Sequence, residues 1–182
     1  MSFDLQRELD GFGHRFAEAS ACVAAFRVLA DSADPQAYGR AGAPGHFTGS
    51  ALVLSVDGRR TLLTRHRKLQ RWLQPGGHAD GDSDLRRVAL REACEETGVP
   101  GLRVEAPIFD LDRHWIPAHG EVAGHWHYDV RFLVRATASE AFVVSAESDD
   151  LAWWSLSDVA GAEFDPSLRR MARRALDQHI HC

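Results

Sequence analysis

Residues 77–99 read GHADGDSDLRRVALREACEETGV. From Asp84 to Thr97 the run holds mostly helix formers and neither Gly nor Pro, while Gly81 precedes it and Gly98 and Pro100 follow; this spacing predicts one helix with a defined stop. At 100° per residue, Leu85, Val88, Ala89, Glu92, Glu95 and Glu96 fall within one arc of about 120°. An apolar stripe therefore continues as an acidic one. Like charges three and four residues apart destabilise a helix by roughly 0.2–0.5 kcal/mol per pair, and partial burial adds desolvation to that cost. A cationic partner is expected on the stripe. Lys or Arg would serve, and clustered carboxylate oxygens are also the ligands that hard divalent cations such as Mg²⁺ prefer.

Outward from this helix the pattern is mixed. SALVLSV (50–56) and TLLTRH (61–66) are β-prone and joined through Asp57-Gly58, a hairpin signal. WLQPGGHADGDS (72–83) reads as a break in regular structure, and RVEAPIFDL (103–111), YDVRFLVRA (128–136), AFVVS (141–145) and LAWWSL (151–156) read as strands. A last helix is expected from about Asp165 to Gln178. Strands on both sides of one central helix imply an α+β sandwich with a central mixed sheet. Ahead of them, Leu5, Leu9, Phe12 and Phe16, then Cys22, Val23, Phe26 and Leu29, recur at helical spacing before the Gly/Pro-rich GRAGAPG of 39–45. The expected organisation is a helical N-terminal extension and linker over 1–45 and one globular domain over 46–182.

Composition narrows the function. With 182 residues, 45% hydrophobic and 26% charged, the chain suits one soluble domain with a short extension. Its net charge of −5 gives no general attraction to nucleic acid or anionic membranes. Apolar runs such as Ala51-Leu52-Val53-Leu54 are far shorter than the roughly 18–20 residues of a membrane span, and the charged start MSFDLQRELD is not a secretory signal. Cys22, Cys94 and Cys182 form no CxxC pair, which fits a reducing compartment. A cytoplasmic protein is expected.

The quoted stretch closely resembles the signature of the Nudix hydrolases: Gly, five residues, Glu, seven residues, Arg-Glu, an aliphatic, any residue, Glu-Glu, any residue, Gly, an aliphatic. Gly77, Arg91, Glu92, Glu95, Glu96, Gly98 and Val99 match in register, with Ala93 as a small aliphatic. The hairpin before the box, the PGG turn and LAWWSL before the last helix extend the resemblance over roughly 46–178. It implies a Nudix-type α/β/α sandwich and hydrolysis of a nucleoside diphosphate linked to another moiety, with Mg²⁺, or Mn²⁺ in its place, at the diphosphate. It also implies Glu95, Glu96 and the Gly77 carbonyl as metal ligands, Glu92 as a ligand or the base that deprotonates water, and Arg91 as a catalytic residue. One position departs: Ser83 stands where the signature has its first Glu. In the family that Glu commonly positions the box arginine, so Asp82 and Asp84 are the candidates to position Arg91. Ser83 would also serve as the N-cap of the helix.

Other candidates lie outside the box. Glu147, six residues before Trp153, is where a loop carboxylate would complete the metal site; Asp149 and Asp150 compete with it. Arg67, Lys68 and Arg71, with Arg65 beside them, are placed to hold substrate phosphates, as is His78. His125, His127 and Asp129 share one face of an extended segment, where a transition-metal site or a plain polar face are the alternatives. Trp72, Trp115 and Trp126 can stack on a base or pack in the core. The expected partner is a small-molecule nucleotide or diphosphate, with no membrane and no bulk nucleic acid, and a homodimer is left open. The rival functions are an isopentenyl diphosphate isomerase-like enzyme, for which none of the three cysteines lies in a recognisable motif, and a non-enzymatic nucleotide-binding module.

Overall fold

The computed structural model describes residues 3–32, 34–40, 44–145, 148–161 and 163–180, with side chains to residue 178. It divides into two compact units, Met1–Ser50 with Gly76–Ala89 and Ala106–Phe132, and Ala51–Pro75 with Leu90–Glu105 and Leu133–Cys182. Among the described residues no helix is long and apolar enough to cross a membrane.

The first unit begins with α1 (Leu5–Arg15) and α2 (Ser20–Asp31). Asp4 caps α1 by accepting from the Arg7 N–H at 3.2 Å. Leu5, Leu9 and Phe12, then Val23, Phe26 and Leu29, are buried at the spacing expected from the sequence. Phe26 meets Phe47 and Tyr128 with ring centroids 6.2 and 5.3 Å apart. Those two residues belong to β1 (Gly45–Leu54) and β7 (His125–Arg135). Glu8 and Arg15 of α1 bracket Ile108, whose N–H donates to the Glu8 carboxylate at 3.3 Å and whose carbonyl accepts from Arg15 at 2.6 Å. β6 (Asp110–Ile116) pairs antiparallel with β7, and β4 (Gly76–His78) pairs antiparallel with the start of β1.

The second unit contains β2 (Arg60–His66), β3 (Arg71–Leu73), β5 (Arg103–Val104), β8 (Ser148–Ser155), α4 (Leu156–Val159) and α5 (Pro166–Ile180). β2 pairs antiparallel with the end of β1, with β3 and with β8, and β5 with the end of β7. The hairpin turn carries Asp57, whose carboxylate accepts from the Ser55 hydroxyl at 2.6 Å and the Arg59 N–H at 3.0 Å. β1 and β7 run through both units. The Trp126 N–H donates to the Pro44 carbonyl at one end and the Ala136 N–H to the Leu54 carbonyl at the other, both at 2.9 Å. Their equal offset along the chain is that of a parallel pair. The other described pairings are antiparallel, so the fold is α+β with a mixed sheet, as expected.

Three sequence expectations change. The run 103–111 is not one strand: β5 ends at Val104 and β6 starts at Asp110, because Pro107 lacks the N–H a ladder needs. AFVVS (141–145) is not a strand. Val143 and Val144 are exposed, and the Val143 N–H bonds instead to the Thr97 carbonyl at 2.8 Å. The PGG segment is more regular than expected, since Gly76, Gly77 and His78 form β4 opposite Ser50, Gly49 and Thr48.

The central helix, α3, spans Leu85–Thr97. Its first turn lies close on β1 at Gly49, where an added Cβ would stand 2.9 Å from both the Leu85 carbonyl oxygen and a Val88 methyl. Since one of these is backbone, Gly49→Ala must push the helix start away. It is expected to lower unfolding stability by about 1–3 kcal/mol, the usual cost of overpacking. Urea denaturation measures this, and a loss below about 0.5 kcal/mol would show that α3 is not held against Gly49.

Candidate functional site

On α3 the stripe is laid out as its period requires. Leu85, Val88 and Ala89 are fully buried, Glu92 and Glu96 are half-buried, and Glu95 is exposed at the stripe's edge. The Arg91 guanidinium donates to the Glu92 carboxylate at 2.8 Å. A cation thus partners the acidic stripe, and it is the box's own arginine. The helix ends at Gly98, whose φ of +63° suits glycine.

The segment ahead of α3 corrects the reading of position 83. Asp84, not Ser83, is the N-cap: its carboxylate accepts from the Arg87 N–H at 3.1 Å and its carbonyl from the Val88 N–H at 3.0 Å. Ser83 is exposed. Asp82 accepts both prongs of the Arg87 guanidinium at 2.6 and 2.5 Å, and Asp84 pairs with Arg86 at 3.4 Å.

Arg67 and Arg71, two of the basic residues after β2, have carboxylate partners. Arg67 donates to Asp149 at 2.9 Å and to the Ser148 carbonyl at 3.1 Å, and Gln70 joins the same carboxylate at 2.6 Å. These bonds hold the Asp149 carboxyl below its ordinary pKa. Arg71 lies 3.5 Å from Asp165, and Lys68 is exposed. Asp150 accepts the Leu151 N–H at 2.8 Å. Glu147 lies outside the described residues. Trp72 packs edge-on against Trp154, and Trp115 against Trp126.

The histidines form a second constellation, in the first unit. Residues directly opposite in a strand pair share a face, and alternate residues change face. His46, Thr48 and Ser50 of β1 therefore lie with His78 of β4, on the face away from Gly49 and the first turn of α3. On this face His46 meets His78, His125 and His127 with ring centroids 5.1, 4.9 and 4.8 Å away, and His114 of β6 meets His127 at 5.4 Å. His46 was not singled out from the sequence, where it is separated from His125 by most of the chain. The signal was available in the alternation His46, Thr48, Ser50. Asp129, expected beside His125 and His127, serves a different neighbourhood. It accepts from the Thr48 and Ser50 hydroxyls at 2.9 and 2.7 Å and from Arg131 at 2.6 Å. Arg131 is buried, with Asp112 at 3.3 Å and Asp110 at 3.6 Å as further partners. Three carboxylates thus gather at one guanidinium.

His46 is fully buried, and neither ring nitrogen has a hydrogen-bond partner among the described residues. An unpaired buried polar group costs about 1–3 kcal/mol. Burial lowers the His46 pKa to about 4, helped by His78 and His125, and lowers that of His127 to about 3, helped by His46 and His114. Burial also lowers His78, with Arg40 adding to it. The folded rings are thus neutral, whereas the unfolded chain takes up protons near the ordinary value of 6.5. Their contribution to stability is complete above about pH 6.5 and is lost as pH falls towards 4 and 3. The slope is at most about 1.4 kcal/mol per pH unit for each ring. Metal-free protein should lose stability between pH 6.5 and 4.5, and His127→Asn should flatten that loss; denaturant titrations at the two pH values test it, and equal slopes in both proteins would refute it.

Comparison with known proteins places the chain. No curated protein matches it. Among solved structures, a NUDIX-family hydrolase from Clostridium perfringens is 24% identical with a TM-score of 0.58, the match covering 74% of this chain and 97% of that one. A C. elegans Ap4A hydrolase in a binary complex is 17% identical with a TM-score of 0.60, covering 75% and 98%. The NUDIX domain of Shewanella oneidensis NrtR, complexed with ADP ribose, is 23% identical with a TM-score of 0.54, covering 84% and 97%. These likenesses show the fold. The model of the NUDIX domain matches residues 46–175, a span that holds the whole box and most of the chain: the protein belongs to the NUDIX family.

Proposed function

We propose that the protein is a Mg²⁺-dependent hydrolase, with Mn²⁺ able to substitute, that cleaves a diphosphate linkage in a nucleoside diphosphate derivative. The observation that carries this reading is the placement of Glu92 and Glu96 half-buried on the continuation of the Leu85, Val88 and Ala89 stripe, with Glu95 at its exposed edge. Three carboxylates on adjoining turns are a donor set of hard oxygens, which fits Mg²⁺ or Mn²⁺. Bound there, the ion would neutralise phosphate oxygens and lower the pKa of a water.

The chain's own residues then divide the work. Glu95 and Glu96 hold the ion, and the Gly77 carbonyl and Glu147 belong to the same proposal through the box and its usual loop carboxylate. Glu92 is a ligand or the base, and Arg91, donating to it at 2.8 Å, fixes its orientation. Arg67 and Arg71 are the phosphate-binding groups if substrate replaces Asp149 and Asp165 as their partners; Lys68 and His78 complete that set. Phosphate groups compete well for such guanidiniums, because both anions present paired oxygens.

The structural relatives supply the substrate panel. They include proteins described as hydrolysing Ap4A, as binding ADP ribose and as a dihydroneopterin triphosphate pyrophosphohydrolase. Phosphate and pyrophosphate release from such nucleotide derivatives should require Mg²⁺ or Mn²⁺. Glu96→Gln should lower kcat by at least about 100-fold, the scale of losing a ligand or base, while circular dichroism stays unchanged. The same variant should lose most of the upward melting shift that Mg²⁺ gives the parent. Activity within about threefold of the parent would remove Glu96 from the site. Nucleotide binding without turnover across the panel would favour a binding module.

A further inference from the structure

We propose that His46, His125 and His127 form a binding site for a transition-metal ion of the Zn²⁺ type, built separately from the box carboxylates. Their ligand atoms all lie within 4.8 Å of one another. The Nε2 atoms of His125 and His127 are 3.3 Å apart. Two nitrogens bound at the usual 2.0–2.1 Å in tetrahedral geometry stand about 3.3–3.4 Å apart, so this pair needs little movement to share an ion.

The surroundings favour an ion over a bare cluster. His46 is fully buried with both nitrogens unpartnered among the described residues, and it faces the other two rings at centroid distances under 5 Å. Such a ring gains a partner when it ligates. Next to His125, the Ala123 carbonyl lies 2.9 Å from Nδ1, which fixes the proton there and leaves the Nε2 lone pair turned to His127, the arrangement that orients a metal-bound imidazole. Neutral imidazoles suit Zn²⁺, Cu²⁺, Ni²⁺ and Co²⁺ rather than Mg²⁺. By strand alternation the face carrying these rings is opposite the one on which the first turn of α3 meets Gly49. The inference does not rest on the proposed hydrolysis.

The test uses the full chain freed of metal by a chelator and titrated with Co²⁺ as a visible probe. One equivalent should give the intense d–d bands of four-coordinate Co²⁺ with nitrogen ligands, and Zn²⁺ should abolish them by displacement. His125→Asn and His127→Asn should each weaken this binding by about tenfold or more, whereas Glu96→Gln should leave it within about twofold. As a readout that needs no variant, ¹⁵N imidazole spectra of the parent should show three histidines shifted by one equivalent of Zn²⁺. Bands that never appear, that survive both histidine substitutions or that vanish in Glu96→Gln would overturn the site, as would unshifted imidazoles in the parent.

Discussion

The contact on which much of the first unit depends is between two pieces of backbone. At Gly49 the first turn of α3 comes so near β1 that no side chain fits between the strand and the Leu85 carbonyl. Opposite Gly49 in the ladder is Gly77, the first residue of the box, so the box begins and its helix starts on the same short length of β1. With that turn fixed, the helical period decides the rest of α3. Leu85, Val88 and Ala89 are buried, and residues three and seven positions beyond Ala89 must follow on the same side. Those residues are Glu92 and Glu96. Their half-burial is thus imposed by geometry, and the desolvation it costs is part of what makes a cation welcome there.

Much of this was legible in the sequence because it depends on local period. The helix, its stop at Gly98, the hairpin at Asp57-Gly58 and the acidic continuation of the stripe are all contained in short windows. Long-range pairings were less legible. AFVVS has the composition of a strand, but β-propensity only describes a fit to a pleated surface, and here the Val143 N–H bonds to the end of α3 instead. The cap at Asp84 was missed by one residue because Ser83 is chemically as good; the carboxylate won by reaching the Arg87 N–H. His46 was invisible as a site residue because its partners are distant in sequence, and only the parallel course of β1 beside β7 brings them together.

The histidine and aspartate groups of the first unit share one cause. Along β7, His125, His127, Asp129 and Arg131 alternate with Trp126, Tyr128, Val130 and Phe132. The second set meets aromatic neighbours, as Tyr128 does with Phe26 and Phe47 and Phe132 does with Phe3. Residues 3–29 therefore supply apolar cover for the strands. The first set is left on the other face, where the Arg131 guanidinium is met by Asp110 and Asp112 of β6 as well as by Asp129 of its own strand.

This alternation also makes the register self-checking. A slip of one residue between β1 and β7 would turn Trp126, Tyr128 and Val130 towards Thr48 and Ser50 and bring Asp129 and Arg131 among the phenyl rings. The hydroxyls of Thr48 and Ser50, both donating to Asp129, are satisfied in one register only. That register is the one that brings His46 to His125 and His127. The polar bonds around Asp129 and Arg131 thus set the spacing of the imidazoles without touching them, and the positions of those rings follow from the strand ladder more than from any contact between the rings themselves.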